Sequence, residues 1–436
     1  MQRGSQSEPS KRSTFSVDNL ARYSFLLLVF SLGFTQPYFF VFNRYVVPYS
    51  DLIFLVTGLL WFVAFLLRKT RLRWHQFYWP LGIYLASMVV STAFSTNPGT
   101  SSLKLPGEIY LLGLTVLTFN IVRTEKDVKH VIYAWLAATT VCVLVGLWSL
   151  FLFYFDPQNW LLPYTRYTFG TLPPGNYLRL QATFVNGNVL CNYLSVSLIL
   201  VLAAFKLGWI NKKFLVFLIF GIVICSLLTI SPGLGGLALS LGIWLWLHPP
   251  KKKRSLALAA LFLGMAAAVA FLFATAISPN AQPDPPFYVD VPFVEKRIEP
   301  SARGLVWIDS AKTLMQYPFT GRGLGQDACD VHYHAISGEI HSLRDAHNMF
   351  LNVAAQQGFF GLAAIILIAF YIARRSFPIK AADTNRGILL AGLGIAFVGA
   401  FVYQGLGGSF EDTRYLWVLI GLILSTIQMP DSGSGI

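Results

Sequence analysis

The sequence predicts an all-α polytopic membrane protein. It has about twelve transmembrane helices and one long outward-facing loop containing short helices between spans nine and ten. Three observations carry this reading. The 436 residues are 55% hydrophobic and only 12% charged, with a mean hydropathy of +0.57. A soluble chain carries roughly 25% charged residues, so the solvent for most of this surface is lipid. Apolar runs of spanning length recur along the chain, each close to the roughly 20 residues needed to cross ~30 Å of hydrocarbon. Most of the 33 lysines and arginines cluster between alternate runs, which is the positive-inside pattern.

The runs are Leu20–Val41, Asp51–Leu67, Phe77–Phe94, Leu105–Val122, Val131–Phe155, Gln181–Phe205, Phe214–Ile230, Leu234–Leu247, Ser255–Ile277, His347–Ala373, Gly387–Gly405 and Asp412–Gln428. Pro37 interrupts the first, and the eighth is short. Basic clusters such as Arg68–Arg73, Lys251–Arg254 and Arg374–Arg386 fall on one side and place both termini inside. The organisation is then a tail (1–19), spans one to nine (20–277), an outer loop (278–346), spans ten to twelve (347–428) and a tail (429–436). The polar start lacks a small-residue cleavage pattern after its first apolar run, so no cleaved signal peptide is expected. A second long outer segment runs from Asp156 to Leu180.

The net charge of +13 does not indicate nucleic acid, because the cations sit in short runs between spans rather than on one soluble face. The four cysteines form no CxxC pair; Cys142, Cys191 and Cys225 lie in apolar runs and Cys329 is alone in the loop. They read as packing residues. A transporter is disfavoured, since such proteins place ionisable groups in mid-membrane and these spans are nearly free of them.

The long loop opens with a proline-rich extended stretch. Ser301 then reads as the N-cap of an amphipathic helix through Gln316, with Leu305, Ile308, Ala311, Leu314 and Met315 on neighbouring faces. Thr320–Gln326 is a glycine-rich turn, too short and wrongly spaced for a phosphate-binding P-loop. His332 and His334, with Asp330, have an unspecific spacing for a metal, and solvated histidines are the better reading. His347 opens an apolar span, with Asp345 before it as an expected N-cap. A neutral imidazole at the membrane surface suits a general base; a capping histidine is the equally weighted alternative. The outer arginines are Arg44, Arg166, Arg179, Arg297, Arg303, Arg322, Arg344 and Arg414. Arg44 and Arg414 read as headgroup anchors. Arg179, at the mouth of a span, and Arg303, in the first turn of the loop helix, suit an anion, because guanidinium forks match phosphate oxygens.

Three blocks resemble the O-antigen ligase/polymerase superfamily of bacterial envelope enzymes. His347-Asn348 followed by Gly358-Phe359-Phe360-Gly361-Leu362 resembles its His-Asn pair and Gly-x-x-Gly-Leu segment. Arg303, Trp307, Pro318, Gly321, Gly323 and Gly325 fit its Arg-x-x-x-Trp helix and Pro-x-x-Gly-x-Gly-x-Gly turn. Arg179, Thr183, Phe184 and Asn188 fit its Arg-x-x-Gly-Thr-Phe-x-x-x-Asn segment, with Ala182 in place of glycine. Pro232 stands where many members carry the arginine of Ser-Arg-Gly.

The resemblance implies a bacterial inner-membrane glycosyltransferase working on the periplasmic face. Its donor is a glycan on undecaprenyl diphosphate; its acceptor is lipid A-core for a ligase, another lipid-linked glycan for a polymerase, or a protein. His347 is then the expected base, with Arg303 and Arg179 as the catalytic cations. Arg322, Asn348, Asn188, Trp307 and Arg344 are expected around the substrate. No metal or cofactor and no nucleic acid is required; membrane lipids surround the chain. Direct displacement on the anomeric carbon inverts it, and no close carboxylate pair of the retaining kind is evident by spacing.

Overall fold

A computed structural model describes residues 16–42, 45–167, 177–248, 289–291, 296–298, 302–334, 340–377, 384–408 and 413–429, with Gly264. The elements in order are α1 (Val17–Ser31), β1 (Tyr38–Phe42), β2 (Tyr45–Pro48), α2 (Tyr49–Leu66), α3 (Tyr78–Ala93), α4 (Pro98–Ile121), α5 (Glu125–Phe155) and α6 (Leu162–Thr165). Next come α7 (Gly187–Lys206), α8 (Lys212–Leu228), α9 (Gly233–Leu247), β3 (Val289–Val291), β4 (Lys296–Ile298) and α10 (Ala302–Gln316). The chain ends with β5 (Val331–His334), β6 (Ile340–Leu343), α11 (Met349–Ser376), α12 (Asn385–Gly407) and α13 (Arg414–Gln428). The strands form three separate antiparallel hairpins. The chain is a multi-pass helical membrane protein: among the described residues five helices, α2, α5, α7, α11 and α12, are long and apolar enough to cross a bilayer.

Each predicted span has a helix beneath it, except Ser255–Ile277, which lies outside the described residues. The first span is corrected. Its helix stops at Ser31, and Tyr38–Phe42 is the first strand of a hairpin. Five consecutive aromatic and β-branched residues behind Pro37 favour extended backbone over helix. α4 begins earlier than expected because Asn97 caps it by accepting from the Thr100 N–H at 3.3 Å, with Pro98 at the first helical position. α5 opens with a capping box between Thr124 and Asp127.

The helices pack around one apolar core centred on α7, α12 and α13; Trp135, Tyr193, Tyr415 and Trp417 are buried in it. Basic residues stitch one end of the bundle. Arg73 donates to the carbonyls of Phe119 and Val122 at 2.9 Å, closing the C-terminus of α4, and Arg386 does the same for Thr426 and Ile427 of α13. Cations at helix C-termini satisfy orphan carbonyls and oppose the dipole. At the other end Arg414 holds Asp51 through a two-pronged contact at 2.6 and 2.9 Å, and Tyr110 donates to the same carboxylate at 2.8 Å. This corrects the expectation of a headgroup anchor: Arg414 ties α13 to α2. Arg44 lies outside the described residues.

Candidate active site

The site is organised by a broken helix. Within α11, Gly358 has φ +67° and ψ −165°, which splits the element into 349–357 and 359–376. His347 therefore does not open a continuous span, as the sequence predicted; it precedes a short helix that the spanning segment follows. A break inside a membrane protein exposes backbone groups that lipid cannot satisfy. The glycine-rich turn supplies the partners. The N–H groups of Arg322 and Gly323 donate to the Ala355 and Gln356 carbonyls at 2.8 and 3.2 Å, and the Pro318 carbonyl accepts from the Phe359 N–H at 2.8 Å.

The turn fits only because it lacks side chains. Gly321 has φ +69°, and a Cβ there would lie 2.1 Å from the Gln356 carbonyl carbon. A Cβ on Gly358 would lie 2.4 Å from that of Phe319. On its far side the turn meets the end of α3 and the start of α4: the Arg322 carbonyl accepts from the Thr96 N–H at 3.0 Å, and Gln326 donates to the Asn97 carbonyl at 3.2 Å. Ser91 and Ser87 of α3 also reach across, to the Gln356 carbonyl at 2.6 Å and the Gln357 side chain at 3.0 Å.

His347 stands at the front of this assembly. Its φ of +48° is a left-handed conformation that costs a non-glycine residue roughly 1–2 kcal/mol. Asp345 compensates. One carboxylate oxygen accepts from the His347 N–H at 2.6 Å and lies 3.6 Å from its Nδ1. The other accepts from Asn352 Nδ2 at 2.6 Å, and Asn352 Oδ1 accepts in turn from the Ala346 N–H at 2.9 Å. Asp345 thus fixes the His347 backbone and stands beside its imidazole; it is not the helix cap. Asn348 is the N-cap, accepting from the Leu351 N–H at 3.2 Å. The imidazole is about half exposed, at 44%, and so open to a substrate.

Trp307 locks the loop helix to this point: its Nε1 donates to the Ala346 carbonyl at 2.9 Å, directly before His347. Arg344 pairs with Asp327 at 3.5 Å, and Arg322 donates to the Asp327 carbonyl at 3.5 Å. Both arginines therefore flank one short loop. Arg303 lies in the first turn of α10, the helix carrying Trp307, while its side chain and Ser301 lie outside the described residues. The proline-rich opening of the loop also lies outside them, apart from β3 and β4. His332 Nδ1 stands 3.7 Å from Asp330, and the His334 side chain lies outside the described residues. Among the described residues no group of three or more His, Cys, Asp or Glu is placed to hold a metal.

Arg179 and Asn188 belong to a second cluster. Arg179 Nε donates to the Thr229 carbonyl at 3.4 Å, and its guanidinium lies over the Tyr167 ring at 4.7 Å. Ala182 has φ +46°, the conformation glycine adopts without cost, at the position where the resembled motif carries glycine. Thr183 ties the segment to the end of α1, donating to the Gly33 carbonyl at 2.7 Å. Asn188 enters α7 just after the Asn186 cap.

Residues 215–366 match the family model described as O-Antigen ligase. That segment is similar to the O-antigen ligase family. No curated protein and no solved structure gives a significant match. The O-antigen ligase match contains Arg303, Trp307, the glycine turn, His347 and the break at Gly358; Arg179 and Asn188 precede it. Sequence reading missed Asp345 and Asn352 as the groups that orient His347. Their signal was an Asp two residues before the histidine and an Asn one helical turn after Asn348, visible only once the helix start is known.

Cys329 sits behind this loop, fully buried, with its thiol donating to the Leu343 carbonyl at 3.5 Å. Burial pushes the thiol up to about 12, against the pull of Ser310 and with the carboxylates of Asp345, Asp309 and Asp327 adding to it. Since only the thiolate attacks maleimide, and all four cysteines are buried and free, the native protein should resist labelling at pH 8. Mass spectrometry should find full labelling only after unfolding; fast labelling of Cys329 in the folded protein contradicts this burial.

Proposed function

We propose that this protein moves a glycan from undecaprenyl diphosphate to an acceptor hydroxyl at the outer face of the inner membrane, as a ligase acting on lipid A-core. The O-antigen ligase match over 215–366 carries the reading. It is supported by an imidazole that is half exposed and has a carboxylate oxygen 3.6 Å from its Nδ1, close enough to steady an imidazolium.

In the proposed step His347 takes the acceptor hydroxyl's proton. The freed oxygen bonds the anomeric carbon, and the bond from that carbon to the phosphate oxygen breaks. The electron pair leaves on the lipid diphosphate. Asp345 steadies the imidazolium that forms. Arg303 and Arg179 meet the charge developing on the leaving group, an electrostatic role in which each donor is worth about 10²–10³ in rate. Arg322 and Arg344 flank the same loop, Trp307 fixes the His347 backbone, and Asn348 begins the helix behind it. Arg179 reaches the Thr229 carbonyl, three residues before Pro232, so it brings a guanidinium close to where relatives often carry their own arginine.

The test is transfer by purified protein in nanodiscs, offered lipid-linked glycan with lipid A-core. Glycosylated lipid A-core supports the ligase; longer lipid-linked glycan instead makes it a polymerase. Arg303→Ala should lower transfer by about 10²–10³ with unchanged melting, and Arg179→Lys should also be poor because lysine cannot replace a bidentate fork. Full activity in either variant removes that arginine from the mechanism.

A further inference from the structure

The loop helix α10 turns the wrong face outward for a helix in water. Val306, Ser310 and Thr313 face the protein and are buried. Ile308, Ala311 and Met315 form an exposed stripe at helical spacing, and Phe319 of the following turn extends it. Met315 is 75% exposed and Phe319 66%. Two hydroxyls are thus turned inward while large apolar side chains are left out, the reverse of what water selects. The helix cannot roll to hide them. Trp307 ties it to the Ala346 carbonyl, and on its other side the Asp309 carboxylate accepts from the Asp330 N–H at 2.9 Å.

The depth of this stripe follows from the break in α11. The spanning half runs from Phe359 to Ser376, about 27 Å at 1.5 Å per residue, close to the ~30 Å of hydrocarbon. Arg374 and Arg375 in its last turn mark one headgroup level, so Phe359 lies near the opposite hydrocarbon boundary. The Pro318 carbonyl accepts from the Phe359 N–H, and the Phe319 ring lies 6.3 Å from that of Phe360. Phe359 and Phe360 are themselves exposed, as are Ile366, Leu367 and Phe370 further down the same helix. The end of α10 therefore continues the lipid-facing side of a spanning helix. An exposed apolar surface of this kind marks an interaction site, and here its neighbour is the bilayer. Lys312, exposed at the edge of the stripe, is long enough to carry its ammonium up to the headgroups.

We propose that α10 is an interfacial helix, its Ile308–Met315–Phe319 face buried among the acyl chains of the leaflet on the His347 side. Such helices lie in the membrane plane with the apolar face roughly 5–10 Å into the headgroup boundary. Through Trp307 and the Ala346 carbonyl, the embedded helix then holds His347 at the level of the lipid phosphates rather than in the water above them.

The experiment uses spin labels on the full chain in nanodiscs. The native cysteines are buried, so Met315→Cys and Phe319→Cys each add one labelling site. Phe370→Cys, on the spanning helix, is the lipid reference, and Gln158→Cys, exposed beyond the end of α5, is the water reference. Relaxation of each label is read with oxygen, which partitions into acyl chains, and with a nickel chelate, which stays in water. The labels at positions 315 and 319 should collide with oxygen in preference to the chelate, as the label at 370 does and the label at 158 does not. A preference for the chelate overturns the proposal by placing the face in water. Protection from both reagents overturns it too, because the face is then covered by protein, whether another segment of this chain or a second copy. Met315 is the more exposed of the two positions, so Met315→Cys decides the matter alone if Phe319→Cys does not fold.

Discussion

Replacing His347 with alanine should lower glycan transfer by about 10²–10⁴, the range a positioned general base contributes, with no loss of thermal stability. The second half of that expectation is specific to this site. The side chain is half exposed, and the helix behind it is capped by Asn348. The backbone there is strained, with φ +48°. His347→Gly should therefore raise the melting temperature while abolishing transfer, by relieving roughly 1–2 kcal/mol of left-handed strain. Strained residues of this kind cluster at functional sites, which is what the pair of variants tests. Asp345→Asn separates orientation from charge: the asparagine oxygen still accepts from the His347 N–H, so the loop stays folded, while the imidazolium loses its counter-charge. Its transfer rate should fall between those of the wild type and His347→Ala. Wild-type turnover in His347→Ala, or an equal loss of melting temperature in all three variants, would reduce His347 to a structural residue.

Hydropathy located almost every helix of this fold, because apolar length is a local property and lipid enforces it. It failed where a short-range preference competed. Tyr38–Phe42 is as apolar as a span, yet it is aromatic, follows a proline and forms a hairpin. The candidate site was legible as a set of residue types and as a resemblance, but not as an arrangement. His347 was visible; that Asp345 and Asn352 hold it depends on where the helix starts, and one-turn differences in a helix start are below what composition resolves. The motif glycines were visible too. Nothing local says that one of them breaks a helix and that others fill the break, because the contacts join residues far apart in the chain. Ala182 makes the same point in reverse: the sequence flags an alanine in place of glycine, and only its φ of +46° explains why glycine is expected there.

The break itself predicts a large stability effect. Gly321→Ala and Gly358→Ala should each destabilise it by about 3–5 kcal/mol, adding the left-handed strain of a Cβ to the overpacking of a closed core. The atoms a new Cβ would strike, Gln356 C at 2.1 Å and Phe319 C at 2.4 Å, are backbone, so no rotamer change relieves the clash. Opening the contact would also strip the buried Ala355 and Gln356 carbonyls of the Arg322 and Gly323 donors. Gly107→Ala is the matched control. It lies within α4 with nothing within 4 Å of its Cβ position, so alanine there should be neutral or stabilising by up to about 1 kcal/mol. Melting of the three variants in nanodiscs reads this directly, and limited proteolysis around residues 318–326 should accelerate in the first two alone. Equal melting temperatures across all three would mean that the turn does not seal the break. The loop helix, held to the Ala346 carbonyl by Trp307, would then owe its place to other contacts.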